Sequence, residues 1–180
     1  MRKVLIILIL IFYITTKCNH VYKNYSMKIT SSAFQNGEVI PKQFTCEGDN
    51  YNPPLTFTDI PQNTKSLAII VEDPDAPVGV WYHWLLYNIP PEITQIDQNA
   101  KPDKAIEGLA NGGTPGYEGP CPPHPKAHRY IFTLYALDHM LQLPNDTDVP
   151  KFREAIKGHI LEESTLIGVY NGPAKRAKPL

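Results

Sequence analysis

Long apolar runs are scarce in this 180-residue chain. The longest, Val4 to Ile14, covers eleven residues, against the roughly 20 that a bilayer-spanning helix needs. Basic charge is also thin. Arg2, Lys3, Lys17 and Lys23 stand among the first 26 residues with no acid beside them, and the rest holds 13 basic against 18 acidic residues. A mildly acidic body argues against a nucleic-acid partner, which needs clustered Lys and Arg. Cysteine is limited to three residues, none in a Cys-x-x-Cys pair, so no metal centre is expected. No Gly-x-Ser-x-Gly elbow occurs. The glycine-rich stretch Gly112-Gly113-Thr114-Pro115-Gly116 is too broken by proline to cradle a phosphate ahead of a helix. No catalytic residue and no cofactor follow from these motifs.

Proline is what the chain has in excess, with 18 residues set between short apolar runs. That placement favours a loop-rich β fold over a helical bundle. Met27 and Ile29 alternate with Lys28 and Thr30, and the domain begins there. Leu67 to Val71, Trp84 to Ile89 and Tyr130 to Leu137 read as strands apolar on both faces. On the last of these, Tyr130, Phe132, Leu134 and Ala136 share one face, with Ile131, Tyr135 and Leu137 on the other. Strands covered twice belong inside a sheet, which fits two packed layers. Asp148-Val149-Pro150 introduces one helix over Lys151 to Leu161, with Phe152, Ile156 and Ile160 at helical spacing. Thr165 to Tyr170 reads as a last strand. The fold class expected is mainly β (α+β): an antiparallel β-sandwich with a few peripheral helices.

Ahead of the domain (27–180), residues 1–18 have the basic start and apolar middle of a secretory signal, and 19–26 read as a polar tether. Cys18 stands where a lipoprotein signal places its lipidated cysteine, although Lys17 is not the small residue such signals prefer. Export is expected, to a periplasmic, secreted or membrane-anchored location. Translation from Met27 would instead leave a cytoplasmic protein. Cys46 and Cys121 form an even pair, open to a disulfide in an exported protein or to two separate thiols.

The chemistry concentrates in a few proline-stiffened segments. Asp73-Pro74-Asp75-Ala76-Pro77 follows a strand and holds two carboxylates with little backbone freedom. His83-Trp84 opens the next strand. Gly119-Pro120-Cys121-Pro122-Pro123 forms a rigid wall with few donors, its glycine allowing close approach to a ligand, and Tyr117 and Glu118 precede it. His128-Arg129-Tyr130 begins another strand. Singly, each has a plain structural reading: a self-capping Asp turn, a core histidine, a stiff loop. Together they offer acceptors, switchable imidazole donors and a phenol to a polar head group.

At these residues the chain resembles the phosphatidylethanolamine-binding protein (PEBP) family, in its bacterial Raf-kinase-inhibitor-like branch. The likeness runs from about Met27 to Tyr170 and includes Thr45-Cys46-Glu47-Gly48, Asn52-Pro53-Pro54-Leu55, Asp73 to Pro77, His83-Trp84-Leu85, Gly116 to Pro123 and His128 to Tyr130. The resemblance implies an antiparallel β-sandwich with a small anion pocket at one end. It assigns that pocket to Asp73, Asp75, His83, Gly119, Pro120, Pro122, His128 and Tyr130. The implied role is regulatory binding of a phosphate- or carboxylate-bearing ligand, without catalysis. Alternatives are inhibition of a kinase or protease through the pocket rim, and an Asp/His hydrolase. Two departures stand out. Ten residues follow Tyr170 where eukaryotic members carry a pocket-shaping helix, and the spacer from Pro123 to Ala127 lacks the usual glycine.

Overall fold

A computed structural model describes residues 26–123 and 126–172. The proposed signal, Cys18, most of the tether and residues 173–180 lie outside the described residues. Two antiparallel sheets make the fold. The smaller has the order β1 (Lys28–Thr30), β2 (Leu55–Thr58), β5 (Gln95–Ile96). The larger has the order β6 (Ile106–Glu107), β4 (Trp81–Ile89), β3 (Ser66–Asp73), β7 (Ala127–Leu137), β8 (Ile160–Asn171). No helix among the described residues is long and apolar enough to cross a membrane.

β3, at the centre of the larger sheet, is buried at every position but Glu72. Its alternation sends Leu67, Ile69 and Val71 inward, where they meet Trp84, Leu86, Tyr130, Phe132 and Leu134 on their own sheet, with Ile29 and Phe57 opposite on the smaller one. Ala68 and Ile70 point outward and join Leu85, Tyr87, Tyr135 and Leu137. The two-faced burial expected of these strands is therefore present. The outer cover is not a second sheet, however, but helix α1 (Val149–Ala155) with Leu141 and Ile156. Phe152 packs there against Tyr87 and Tyr135, at ring-centroid distances of 5.8 and 6.5 Å.

The helix is shorter than its apolar spacing predicts. Asp148 caps it by accepting the Lys151 N–H at 2.9 Å, and it closes at Ile156. Gly158, with φ +78°, then turns the chain. Ile160, expected within the helix, instead opens β8, which starts five residues earlier than the strand expected at Thr165. Eleven residue pairs with β7 outweigh a helical propensity that has little to bury beyond Ile156.

β4 departs from regular alternation twice. Leu67 and Ile69 face Ile89 and Leu86, so one extra residue stands in β4 between them. Asn88 adopts φ +56° there, a conformation Asn tolerates. Its amide holds Leu141 through two hydrogen bonds, donating to the carbonyl at 2.8 Å and accepting from N–H at 2.9 Å. The second bulge lies between the pairs Val71–Trp84 and Glu72–Tyr82. The residue left unpaired is His83.

Candidate functional site

That bulge assembles the site. Tyr82 packs on the outer cluster and Trp84 in the inner one. The inserted residue lets His83 share the inner side with Trp84, where simple alternation would turn it outward. Its ring meets the inward Tyr130 ring edge-on at 5.1 Å. On β3, Asp73 continues the inward series of Leu67, Ile69 and Val71. On β7, His128 shares the parity of Tyr130. Asp73, His83 and His128 thus converge at one end of the larger sheet, lining a cavity of about 430 Å³.

Each of the three polar groups is buried and held. Asp73 accepts the Asp75 N–H through Oδ1 at 2.8 Å and meets His128 Nδ1 through Oδ2 at 2.7 Å. The self-capping turn expected of this segment is therefore present at one oxygen, while the other oxygen faces His128. His83 Nδ1 lies 2.7 Å from the Glu118 carbonyl, which can only accept, so Nδ1 carries the proton. With Nδ1 committed on both rings, Nε2 is the atom each histidine has left for a ligand. Burial pushes the His83 pKa below the ordinary histidine value, partly opposed by its bond to Glu118. The ring is thus neutral at neutral pH.

The proline-rich loop forms one wall and is fastened on several sides. The Glu118 N–H donates to the His83 carbonyl at 2.8 Å, and the Cys46 N–H to the Pro120 carbonyl at 3.1 Å. Gly119 N–H donates to Asn50 Oδ1 at 2.9 Å. A Cβ on Gly119 would stand 2.4 Å from that oxygen and 2.6 Å from the Phe44 carbonyl. The glycine thus serves close packing against the protein itself, and it also lines the cavity, as the sequence suggested. Cys46 and Cys121 are joined by a disulfide, with Cα atoms 5.4 Å apart, and both line the cavity.

Three residues expected in the pocket stand elsewhere. Asp75 turns away, accepting from Arg129 N–H, Nε and Nη2 at 3.0, 2.8 and 2.9 Å. The guanidinium holds this carboxyl well below the usual range, and its work is to tie the 74–80 loop to β7. Pro120 is buried behind the wall. Tyr130 lies beneath His83, its hydroxyl buried without a hydrogen bond of good geometry, and burial drives its pKa upward. Tyr117 packs on Trp84 at 5.7 Å and donates to the Phe44 carbonyl at 3.1 Å, while its neighbour Glu118 does line the cavity. Sequence reasoning missed Asn50, Val78 and Trp81, which also line it. Trp81 carried a signal, as an aromatic two residues before His83. Asn50 carried none, because only the fold brings it to Gly119.

A rigid β-sandwich with a histidine-floored cavity at one end defines a small-ligand-binding module. A family model described as phosphatidylethanolamine-binding protein matches residues 30–171. A UPF0098 protein of Methanothermobacter thermautotrophicus is 44% identical over 149 residues, covering 80% of this chain and 98% of that relative. One from Chlamydia pneumoniae is 46% identical over 149 residues, with coverages of 80% and 98%. The crystal structure of the PEBP homolog CT736 from Chlamydia trachomatis is similar with a TM-score of 0.79 at 40% identity, covering 82% of this chain and 99% of that one. Escherichia coli YbcL, described as a member of the mammalian PEBP family, gives 0.78 at 28% identity, with coverages of 83% and 100%. The chain belongs to the phosphatidylethanolamine-binding protein family, and with it to the ligand-binding proteins of that type.

Proposed function

We propose that this protein binds, without transforming, a small phosphate- or carboxylate-bearing head group in the cavity floored by Asp73, His83 and His128. The observation that carries the reading is the commitment of both Nδ1 atoms to the protein, which leaves two fixed Nε2 atoms for one ligand. An anion restores the charge that burial suppresses on His83, so binding takes up a proton. Asp73 keeps His128 oriented, as carboxylates do for working histidines. Among the described residues no hydroxyl, amine or free thiol lines the cavity, since Cys46 and Cys121 are bonded to each other. That supports binding over catalysis through a serine, cysteine or lysine nucleophile.

The rim supports a second reading, docking of a kinase or protease. Val78 and Val80, beside the mouth, are 78% and 47% exposed, an apolar edge that a protein partner would cover. The disulfide suits an oxidising compartment, which favours export over a start at Met27.

Calorimetric titration with phosphate and phosphoethanolamine tests the binding proposal. Saturable binding is expected, weakened at least about tenfold in His83→Ala and Asp73→Asn, a loss of about 1.4 kcal/mol or more. No binding to the unaltered protein at millimolar ligand would sink it. Turnover of a phosphoester that vanishes in the same variants would replace a binder by a hydrolase.

A further inference from the structure

Some 30 Å along β7 from His128, at about 3.3 Å per residue, a second group of ligating side chains has no part in the cavity. Asp138 follows β7, His139 comes next, and His159 precedes β8. His139 Nδ1 lies 3.1 Å and His159 Nδ1 2.9 Å from the same oxygen, Asp138 Oδ1. The two imidazoles pack together with centroids 4.0 Å apart and planes tilted by 50°. Backbone contacts fix all three positions. Asp138 N–H donates to the His159 carbonyl at 3.1 Å, and His159 N–H to the Ile156 carbonyl at 3.0 Å. Ser66 Oγ donates to the His139 carbonyl at 2.7 Å.

We infer that Asp138, His139 and His159 form a binding site for a divalent transition-metal ion of the Zn²⁺ class. Two imidazoles and one carboxylate make a mixed nitrogen and oxygen donor set that suits such ions better than Mg²⁺ or Ca²⁺. At metal–ligand distances of about 2.0–2.1 Å, neighbouring ligand atoms lie about 3.0 Å apart in an octahedron and about 3.4 Å in a tetrahedron. The two Nδ1–Oδ1 separations of 3.1 and 2.9 Å already have that spacing. Without metal, each neutral ring carries its proton on Nδ1 and shares one acceptor. The ion takes the place of both protons, and each ring moves its proton to Nε2. The side chains are half-exposed, at 44% for Asp138, 35% for His139 and 46% for His159, so water completes the coordination. This departs from the sequence expectation of no metal, because the ligands come from two distant segments that only the β7–β8 pairing brings together.

Titration of the full chain, without a polyhistidine tag, with Zn²⁺ against a competing chelator tests the inference. The unaltered protein should bind Zn²⁺ and melt at a higher temperature with it, with Mg²⁺ giving neither effect. His159→Ala and Asp138→Asn should each weaken this site at least about tenfold, since changes even to residues that merely orient metal ligands cost 10- to 100-fold. The double variant His139→Ala/His159→Ala should bind one equivalent fewer, with no zinc-dependent rise in melting temperature. Melting of the metal-free variants reports whether they are folded. No zinc uptake by the unaltered protein, or an equal number of equivalents held as tightly by the folded double variant, would overturn the inference.

Discussion

Replacing both bridged cysteines, as Cys46→Ser/Cys121→Ser, separates the two jobs of the disulfide. The bond spans a sequence separation of 75 residues. In the chain-entropy treatment, opening a loop of that length returns about 15 cal/mol/K to the unfolded ensemble, or about 4.5 kcal/mol at 25 °C. That is a large share of the 5–15 kcal/mol typical of a domain. With a urea dependence of about 2 kcal/mol/M, the midpoint should fall by about 2 M. The assay is urea unfolding followed by tryptophan fluorescence, with and without a thiol reductant. Reductant should move the unaltered protein toward the variant and leave the variant where it is. Both sulfurs also belong to the cavity wall, so sulfate binding by the folded variant should weaken as the wall loosens. A loss below about 1 kcal/mol, or a reductant effect on the variant equal to that on the parent, would refute the reasoning.

Three further outcomes follow from the same geometry. Gly119→Ala sets a methyl against the Phe44 carbonyl and Asn50, and overpacking of this kind should cost about 1–3 kcal/mol in chemical denaturation. Asp75 has a folded pKa depressed by Arg129, so its contribution is present above the unfolded value of about 3.9 and is lost as pH falls further; Asp75→Asn should flatten stability against pH below about pH 4, and an unchanged acid limb would count against the pairing. For His83, burial lowers the folded pKa, so the unfolded chain takes up the proton first and stability declines as pH drops below about 6.5. Sulfate, which does not titrate there, should bind more tightly as pH falls and slow that decline, whereas His83→Gln should weaken both effects.

The strands were legible where apolar side chains crowd both faces. Leu67 to Val71 reads as a doubly covered strand, and the structure buries it on both sides. The helix start was legible too, because Asp148 and Pro150 act locally. Its end was not, since Ile156 and Ile160 fit helical spacing equally well and only pairing with β7 decides between them. At the site, Asp73 and His128 could be foreseen because their strands alternate regularly. Asp75 could not be told from Asp73, since what separates them is Arg129, 54 residues away. The cover over the outer face and the position of Asn50 also depend on contacts between segments distant in sequence.

The unpaired position at His83 makes the candidate site depend on a count of residues as well as on their kinds. Substitutions around it can preserve the apolar pattern and the pairing while the imidazole stays in place. Removing one residue from this stretch would restore regular pleating, leave Trp84, Leu86 and the core where they are, and swing the ring to the far side of the sheet. Architecture and the placement of His83 are therefore separable in this protein, and a change of length in β4 would keep the scaffold while dismantling the candidate site.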